Sequence, residues 1–286
     1  MSTKKLLGNA IRESSKLPGI KDVLFHPSVR GAVQNWPGFS TVYGKGWLLL
    51  HPIDRDLGTD TSGFIPTEEL PSSPHDSLRK HCYAGSQPSI VRTALAAVPS
   101  CEGFTFVDLG CGKGRPLLVA SEFPFRDLVG LELSPSLAGI ARQNAAILQK
   151  KWPNRVPVRV ELGDASAFPL PAGNLVVFLY NPFGQEVIAE VVAGIEAALA
   201  AENRSLYVVY YNPVYGACFD ASPALTRYFA ATLPYSAEEQ GYGPDSEDAV
   251  VIWQAGNAEP SHPGAEAQIE ITIPSMRAEL VPLTPA

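Results

Sequence analysis

Between residues 89 and 255, short apolar runs rich in β-branched and aromatic residues alternate with segments whose apolar residues recur at helical spacing. The runs predict strands over 105–108, 128–132, 156–162, 175–180, 206–211 and 249–254, with a further strand over 225–232 bracketed by Pro223 and Pro234. Helices are predicted over 89–97, 114–122, 135–151 and 185–201. In the last of these, Val187, Val191 and Ile195 form one stripe and alanines cover most other faces, as in a helix lying on a sheet. Strand and helix in regular alternation mark β-α-β units around a parallel sheet.

The flanks are textured differently. Before the core, the pattern predicts helices over 3–15 and 27–35, a strand over 47–50, and a loop over 56–74 punctuated by Gly58, Gly63, Pro66, Pro71 and Pro74. After it, the chain turns rich in Pro and Glu, with one alternating run over 268–273 that predicts an edge strand. The expected organisation is an N-terminal extension or lid (1–87), an α/β core (88–256) and a C-terminal tail (257–286). No repeat of solenoid period is present, although Tyr-Asn-Pro occurs twice, at Tyr180 and at Tyr211.

Composition narrows the function classes. With 45% hydrophobic and 18% charged residues the chain has material for a core and too little charge for disorder. A net charge of −7 argues against a polyanionic partner, so nucleic acid is not expected. No apolar run approaches the roughly 20 residues of a membrane helix. Four separated cysteines without a C-x-x-C pair indicate neither a zinc knuckle nor a disulfide scaffold, which fits a reducing cytoplasm. The basic first residues lack the apolar stretch of a signal peptide.

The chemistry concentrates in FVDLGCGKGR, residues 106–115: a buried strand runs into Gly110, Gly112 and Gly114 and then a helix. Glycines at alternate positions let the backbone turn sharply and approach a ligand closely. A dinucleotide and S-adenosylmethionine both use this strand, turn and helix order. The dinucleotide pattern is G-x-G-x-x-G, whereas here the third glycine follows two positions after the second and Asp108 precedes the first by two. A carboxylate there repels a pyrophosphate and suits a ligand carrying an ammonium and a sulfonium. Glu132 closes the second predicted strand, where such folds use an acid to accept ribose hydroxyls. Gly163-Asp164-Ala165 ends the third, with Asp164 placed for an adenine amino group and Ala165 leaving room for the ring. Lys113 is expected at the surface, and Cys111 is expected to be a small filler because nothing near it in sequence lowers its pKa.

D-x-G-x-G-x-G, the acid ending the second strand and the Gly-Asp after the third resemble class I S-adenosylmethionine-dependent methyltransferases over roughly residues 83–255. The resemblance implies a Rossmann-like, seven-stranded, mostly parallel sheet with helices on both faces and its last strand antiparallel. It implies an enzyme that uses S-adenosylmethionine, laid across the first three strand ends. Asp108, Gly110, Cys111, Gly112 and Gly114 would flank the methionine moiety. Glu132 and Leu133 would hold the ribose, Asp164 and Ala165 the adenine, and Asn181 would also reach the cofactor. More narrowly, DTSG at Asp60 and GKGR at Gly112 resemble an uncharacterised bacterial subgroup.

At the substrate end, Tyr180-Asn181-Pro182-Phe183 follows the fourth strand and Tyr210-Tyr211-Asn212-Pro213 the fifth. A proline biases the residue before it toward extended backbone, so both asparagines are expected extended at neighbouring strand tips, forming a polar, aromatic-walled pocket. The first element resembles the Asn/Asp-Pro-Pro-Tyr/Phe motif of amino-directed methyltransferases without its second proline. It implies a catalytic set of Tyr180, Asn181, Pro182 and Phe183, with Asn181 accepting the amine hydrogens. A nitrogen acceptor on a protein or small molecule is therefore expected. An oxygen acceptor, served by a base from the extension such as His75 or His81, and a non-catalytic binding module stay open, as does homodimer formation. Asp245 and Glu247 are expected to be loop charges.

Overall fold

The computed structural model describes residues 49–67, 70, 82–243 and 245–256, with isolated positions at 29 and 46. The helices expected over 3–15 and 27–35 (Val29 apart, which is helical), the strand over 268–273, and His75 and His81 lie outside the described residues. Of the strand expected over 47–50, Leu49 and Leu50 are described and are not strand, because Leu49 N–H folds back to Gly46 O at 3.0 Å in a turn.

In chain order the elements are α1 (Pro52–Leu57), β1 (Phe64–Ile65), β2 (Tyr83–Ala84), α2 (Pro88–Ala97), β3 (Thr105–Leu109), α3 (Arg115–Ala120), β4 (Asp127–Glu132), α4 (Pro135–Lys151), β5 (Val158–Leu162), β6 (Leu175–Tyr180), α5 (Gln185–Ala201), β7 (Ser205–Tyr211), α6 (Gly216–Asp220), β8 (Thr226–Pro234) and β9 (Glu247–Gly256). The loop expected over 56–74 is broken by α1 and β1: Pro52 starts a short helix that His51 caps and Gly58 ends in the left-handed conformation.

Seven strands form one sheet in the order β5-β4-β3-β6-β7-β9-β8. The first five are parallel, and β9 runs antiparallel to both its neighbours. The sheet is the Rossmann-like one that the resemblance implied. Its inner strands are largely apolar because both faces are covered. Phe106, Val176, Phe178, Tyr207 and Val209 pack on one face with α2 and α3, while Val107, Val177, Leu179, Val208 and Trp253 pack on the other with α5 and α6. Each large apolar side chain taken from water contributes roughly 1.5–3 kcal/mol, so the two-faced packing holds the strand tips in place.

From β3 the chain winds outward through β4 to β5, then returns to the other side of β3 as β6. The order of winding thus reverses between β3 and β6, and open α/β sheets leave a crevice beyond the carboxyl ends at such a point. Among the described residues, no helix is long and apolar enough to cross a membrane.

Candidate functional site

From the tip of β3 the backbone turns through Gly110, Gly112 and Gly114, with φ of 78°, 55° and 83°. The loop is pinned to the tip of β4: Gly110 and Cys111 N–H both donate to Leu131 O at 2.9 Å. Gly112 N–H donates to Glu132 Oε2 at 2.8 Å, and Ser134 N–H to Glu132 Oε1 at 2.7 Å. A methyl group on Gly112 would stand 2.5 Å from Tyr83 Cε2, and one on Gly110 would stand 2.6 Å from Pro182 Cβ. Glycine is needed at both positions for these two neighbours to close on the loop.

Beyond the loop lies a cleft of about 860 Å³, its open mouth included. Its wall contains Asp108, Gly110, Cys111, Gly112, Glu132, Leu133, Asp164, Ala165, Tyr180, Pro182 and Phe183 together. Two of the residues expected at the cofactor are not in the wall. Gly114 faces α4, where a Cβ would meet Ala141 Cβ at 3.4 Å. Asn181 is buried, with its carboxamide oxygen 3.3 Å from the Tyr210 hydroxyl. Sequence reasoning missed the other wall, supplied by Leu70, by residues 82–86 and by Arg115.

The three carboxylates differ in how they are held. Asp108 is 1% exposed, and its Oδ2 has no hydrogen-bond partner among the described residues. Burial, and then the Glu132 carboxylate beside it, push the Asp108 pKa well above the ordinary value. Glu132 accepts from Gly112 N–H of the loop through Oε2 and from Ser134 N–H after β4 through Oε1, and Asp164 Oδ1 accepts from Ser166 N–H and Oγ at 3.0 and 2.8 Å. Cys111 is a filler, as expected: burial, then Asp108 and Glu132, raise its thiol pKa and keep it protonated.

Lys113 is a correction. It is 6% exposed, and its Nζ donates to Asp60 Oδ1 at 2.9 Å and to Ser62 O at 2.8 Å. Arg115, 3% exposed, donates from Nε to Thr61 Oγ1, from Nη2 to Thr61 O and from Nη1 to Ser86 O, each at 2.8 Å. Asp54 lies 3.7 Å from Arg115 and accepts from Thr59, Thr61 and Ser62. The DTSG and GKGR segments are therefore two halves of one buried latch. Its charges leave the surface because each meets a partner there.

The strand tips also differ from expectation. Asn181 and Asn212 have φ of 38° and 49°, left-handed rather than extended. A short carboxamide tolerates this region by bonding locally. Asn212 is held there by bonds across the sheet instead, through Nδ2 to Asp248 Oδ1 at 2.9 Å and through Oδ1, which accepts from Ala249 N–H at 3.1 Å. Asn212 is thus bound into the sheet and takes no part in the cleft wall. Asp248, which the sequence did not single out, also accepts from the Tyr211 and Tyr235 hydroxyls at 2.5 and 2.6 Å. Tyr211 in turn packs against Tyr180 in the wall, with ring centroids 4.4 Å apart. Glu247, expected in a loop, is the exposed first residue of β9.

Strand order and glycine turn make this a Rossmann-like α/β protein with its cleft at the switch point. No family model matches the chain, and no curated protein matches it. Among solved structures it is similar to TrmN from Thermus thermophilus, with a TM-score of 0.42 and 16% identity over 59% of this chain and 48% of that one. The chain therefore spans about half the length of that protein. It is also similar to an RNA methyltransferase from Salinibacter ruber in complex with S-adenosyl-L-homocysteine, with a TM-score of 0.39 and 20% identity over 63% of this chain and 99% of that one. A third is the glycopeptide N-methyltransferase MtfA, with a TM-score of 0.44 and 14% identity over 60% of this chain and 96% of that one. Likeness at this level is one of outline.

Proposed function

We propose that the chain is an S-adenosylmethionine-dependent methyltransferase that binds its donor in the cleft beyond β3, β4 and β5. The supporting observation is Asp108: a buried carboxylate oxygen without a partner among the described residues, on the wall of the cleft, beside a second carboxylate. Such an atom is costly to leave bare and is satisfied by an ammonium or other cation. A diphosphate brings no cation to the Asp108, Glu132 and Asp164 carboxyl groups.

In this reading Asp108 takes the donor's ammonium, and the glycine loop lets the aminoacyl tail lie close to backbone. Glu132 receives the ribose hydroxyls, with Leu133 beside it, and Asp164 receives the adenine amino group over Ala165. The donor supplies an electrophilic methyl group. The chain supplies alignment and a dry wall.

The acceptor is proposed to be a nitrogen on a small molecule or protein, entering beside Tyr180, Pro182 and Phe183. Aromatic and apolar walls suit a neutral amine, which needs no strong base. The Tyr180 phenol is held protonated by burial first and by Asp248 next. His51, the histidine described in full, lies outside the wall with a pKa lowered to about 2 by burial and by Arg115. Asn181 then acts through the turn it sets, which presents Tyr180 and Phe183 to the cleft.

Two measurements test the reading. Calorimetric titration should give binding of S-adenosylhomocysteine and none of NAD, and the reverse preference ends the donor assignment. Isotope-labelled methyl transfer into fractionated lysate should label an amine. Label on oxygen replaces the acceptor class, and donor binding without transfer leaves a non-catalytic module.

A further inference from the structure

A second polar atom on the cleft wall matches Asp108 in being buried and bare: Ser86 is 2% exposed, and its Oγ has no partner among the described residues. Ser86 comes from outside the sheet, in the segment between β2 and α2, and reaches the cleft together with Tyr83, Ala84 and Gly85.

This segment is fixed over the glycine loop by two contacts. Tyr83 lies on the bare face of Gly112 and donates its hydroxyl to Thr61 O at 2.6 Å. The Arg115 guanidinium fills the space a side chain on Gly85 would take, its Cζ 2.4 Å from that Cβ position, and donates to Ser86 O at 2.8 Å. The Ser86 hydroxyl therefore stands over the cleft with a guanidinium held against its own backbone, and Arg115 itself is part of the wall. A hydroxyl backed by a cation attracts an anion. A bare carboxylate attracts a cation. Found in one cleft, the pair complements a zwitterion, the α-amino acid group.

We propose, on the basis of the donor reading above, that Ser86 donates a hydrogen bond to the carboxylate of the donor's aminoacyl tail. Arg115 is the positioning residue that seats Ser86 through its backbone carbonyl. The donor is thus selected by its tail, and the part of the chain that selects it lies before the core.

The test compares S-adenosylhomocysteine with 5′-methylthioadenosine, which keeps the adenosine and thioether and lacks the amino acid. Both are titrated calorimetrically into the full chain and into its Ser86→Ala and Ser86→Thr variants. Loss of one hydrogen bond to a charged group should weaken S-adenosylhomocysteine about tenfold in Ser86→Ala. Methylthioadenosine should bind that variant as it binds the wild type, and Ser86→Thr, which keeps the hydroxyl, should retain the wild-type preference. Equal losses for both ligands, or no loss for either, overturn the proposal while the donor reading stands. If the wild type binds neither, both fall.

Discussion

Replacing Asp108 with asparagine keeps the side chain's shape and removes its charge. In the ligand-free protein the carboxylate is buried, lacks a partner at Oδ2 and faces Glu132, so its pKa lies well above 3.8. An unfolded chain ionises this group near 3.8 while the folded protein still holds the proton. The folded state then binds more protons, and the group's contribution to stability falls as the pH rises from there through the folded pKa. Asparagine has no such dependence. The ligand-free Asp108→Asn variant should therefore be more stable than the wild type at pH 8, by about 1.4 kcal/mol for each unit by which the folded pKa stands above 3.8. At roughly 2–4 °C per kcal/mol for a domain of this size, the melting temperature should rise by several degrees. The advantage should vanish as the pH is lowered well below 3.8, where the acid is neutral in both states.

Binding should move the other way. A donor ammonium needs the charged form, so the variant should lose roughly 10- to 150-fold in affinity for S-adenosylhomocysteine, the worth of a hydrogen bond to a charged group. Wild-type binding should release a proton, so that the measured heat changes with the ionisation enthalpy of the buffer. Thermal melts across pH and titrations in two buffers supply the data. A variant less stable than the wild type at pH 8, or one that binds the ligand equally well, would refute the reasoning about Asp108.

Three further outcomes follow from the geometry. Gly112→Ala combines a φ of 55° with a Cβ 2.5 Å from Tyr83, so it should cost at least about 1–2 kcal/mol in a melt and abolish S-adenosylhomocysteine binding; unimpaired binding would show that the Tyr83 contact is dispensable. His51 is held neutral, its pKa lowered from 6.5 to about 2. Its contribution is complete above pH 6.5 and is lost toward pH 2, at about 1.4 kcal/mol per unit. Urea unfolding between pH 8 and 5 should show a shallower acid loss in His51→Asn, which keeps a capping oxygen, and parallel curves would contradict the assignment. At Asn181, glycine permits the φ of 38° and alanine resists it, so methyl transfer should survive in Asn181→Gly and drop in Asn181→Ala; equal loss in both would return the carboxamide to the chemistry.

The helices over 135–151 and 185–201 and the strand over 175–180 have the bounds their patterns predicted, because proline starts, turn residues and apolar periodicity are local signals. Asp108 was legible for a related reason: a carboxylate inside an apolar strand, two residues before a glycine turn, announces itself. Lys113 and Arg115 were not. Their spacing is that of surface charges, and their burial depends on Asp54, Asp60 and Thr61 arriving from some fifty residues upstream in the chain. Asp248 shared that fate, since Tyr211, Asn212 and Tyr235 reach it only when β7 and β9 pair and Tyr235 follows β8 into place.

By itself the sequence determined the alternation of strands and helices, the glycine turn and the acids at three strand ends, all of them written in neighbouring residues. Only the tertiary structure decided which wall those acids share, which charges are buried together, and that Ser86 stands opposite the loop. Those outcomes depend on desolvation and on contacts between distant segments, and a charge acquires its energy from what surrounds it rather than from what adjoins it in the chain.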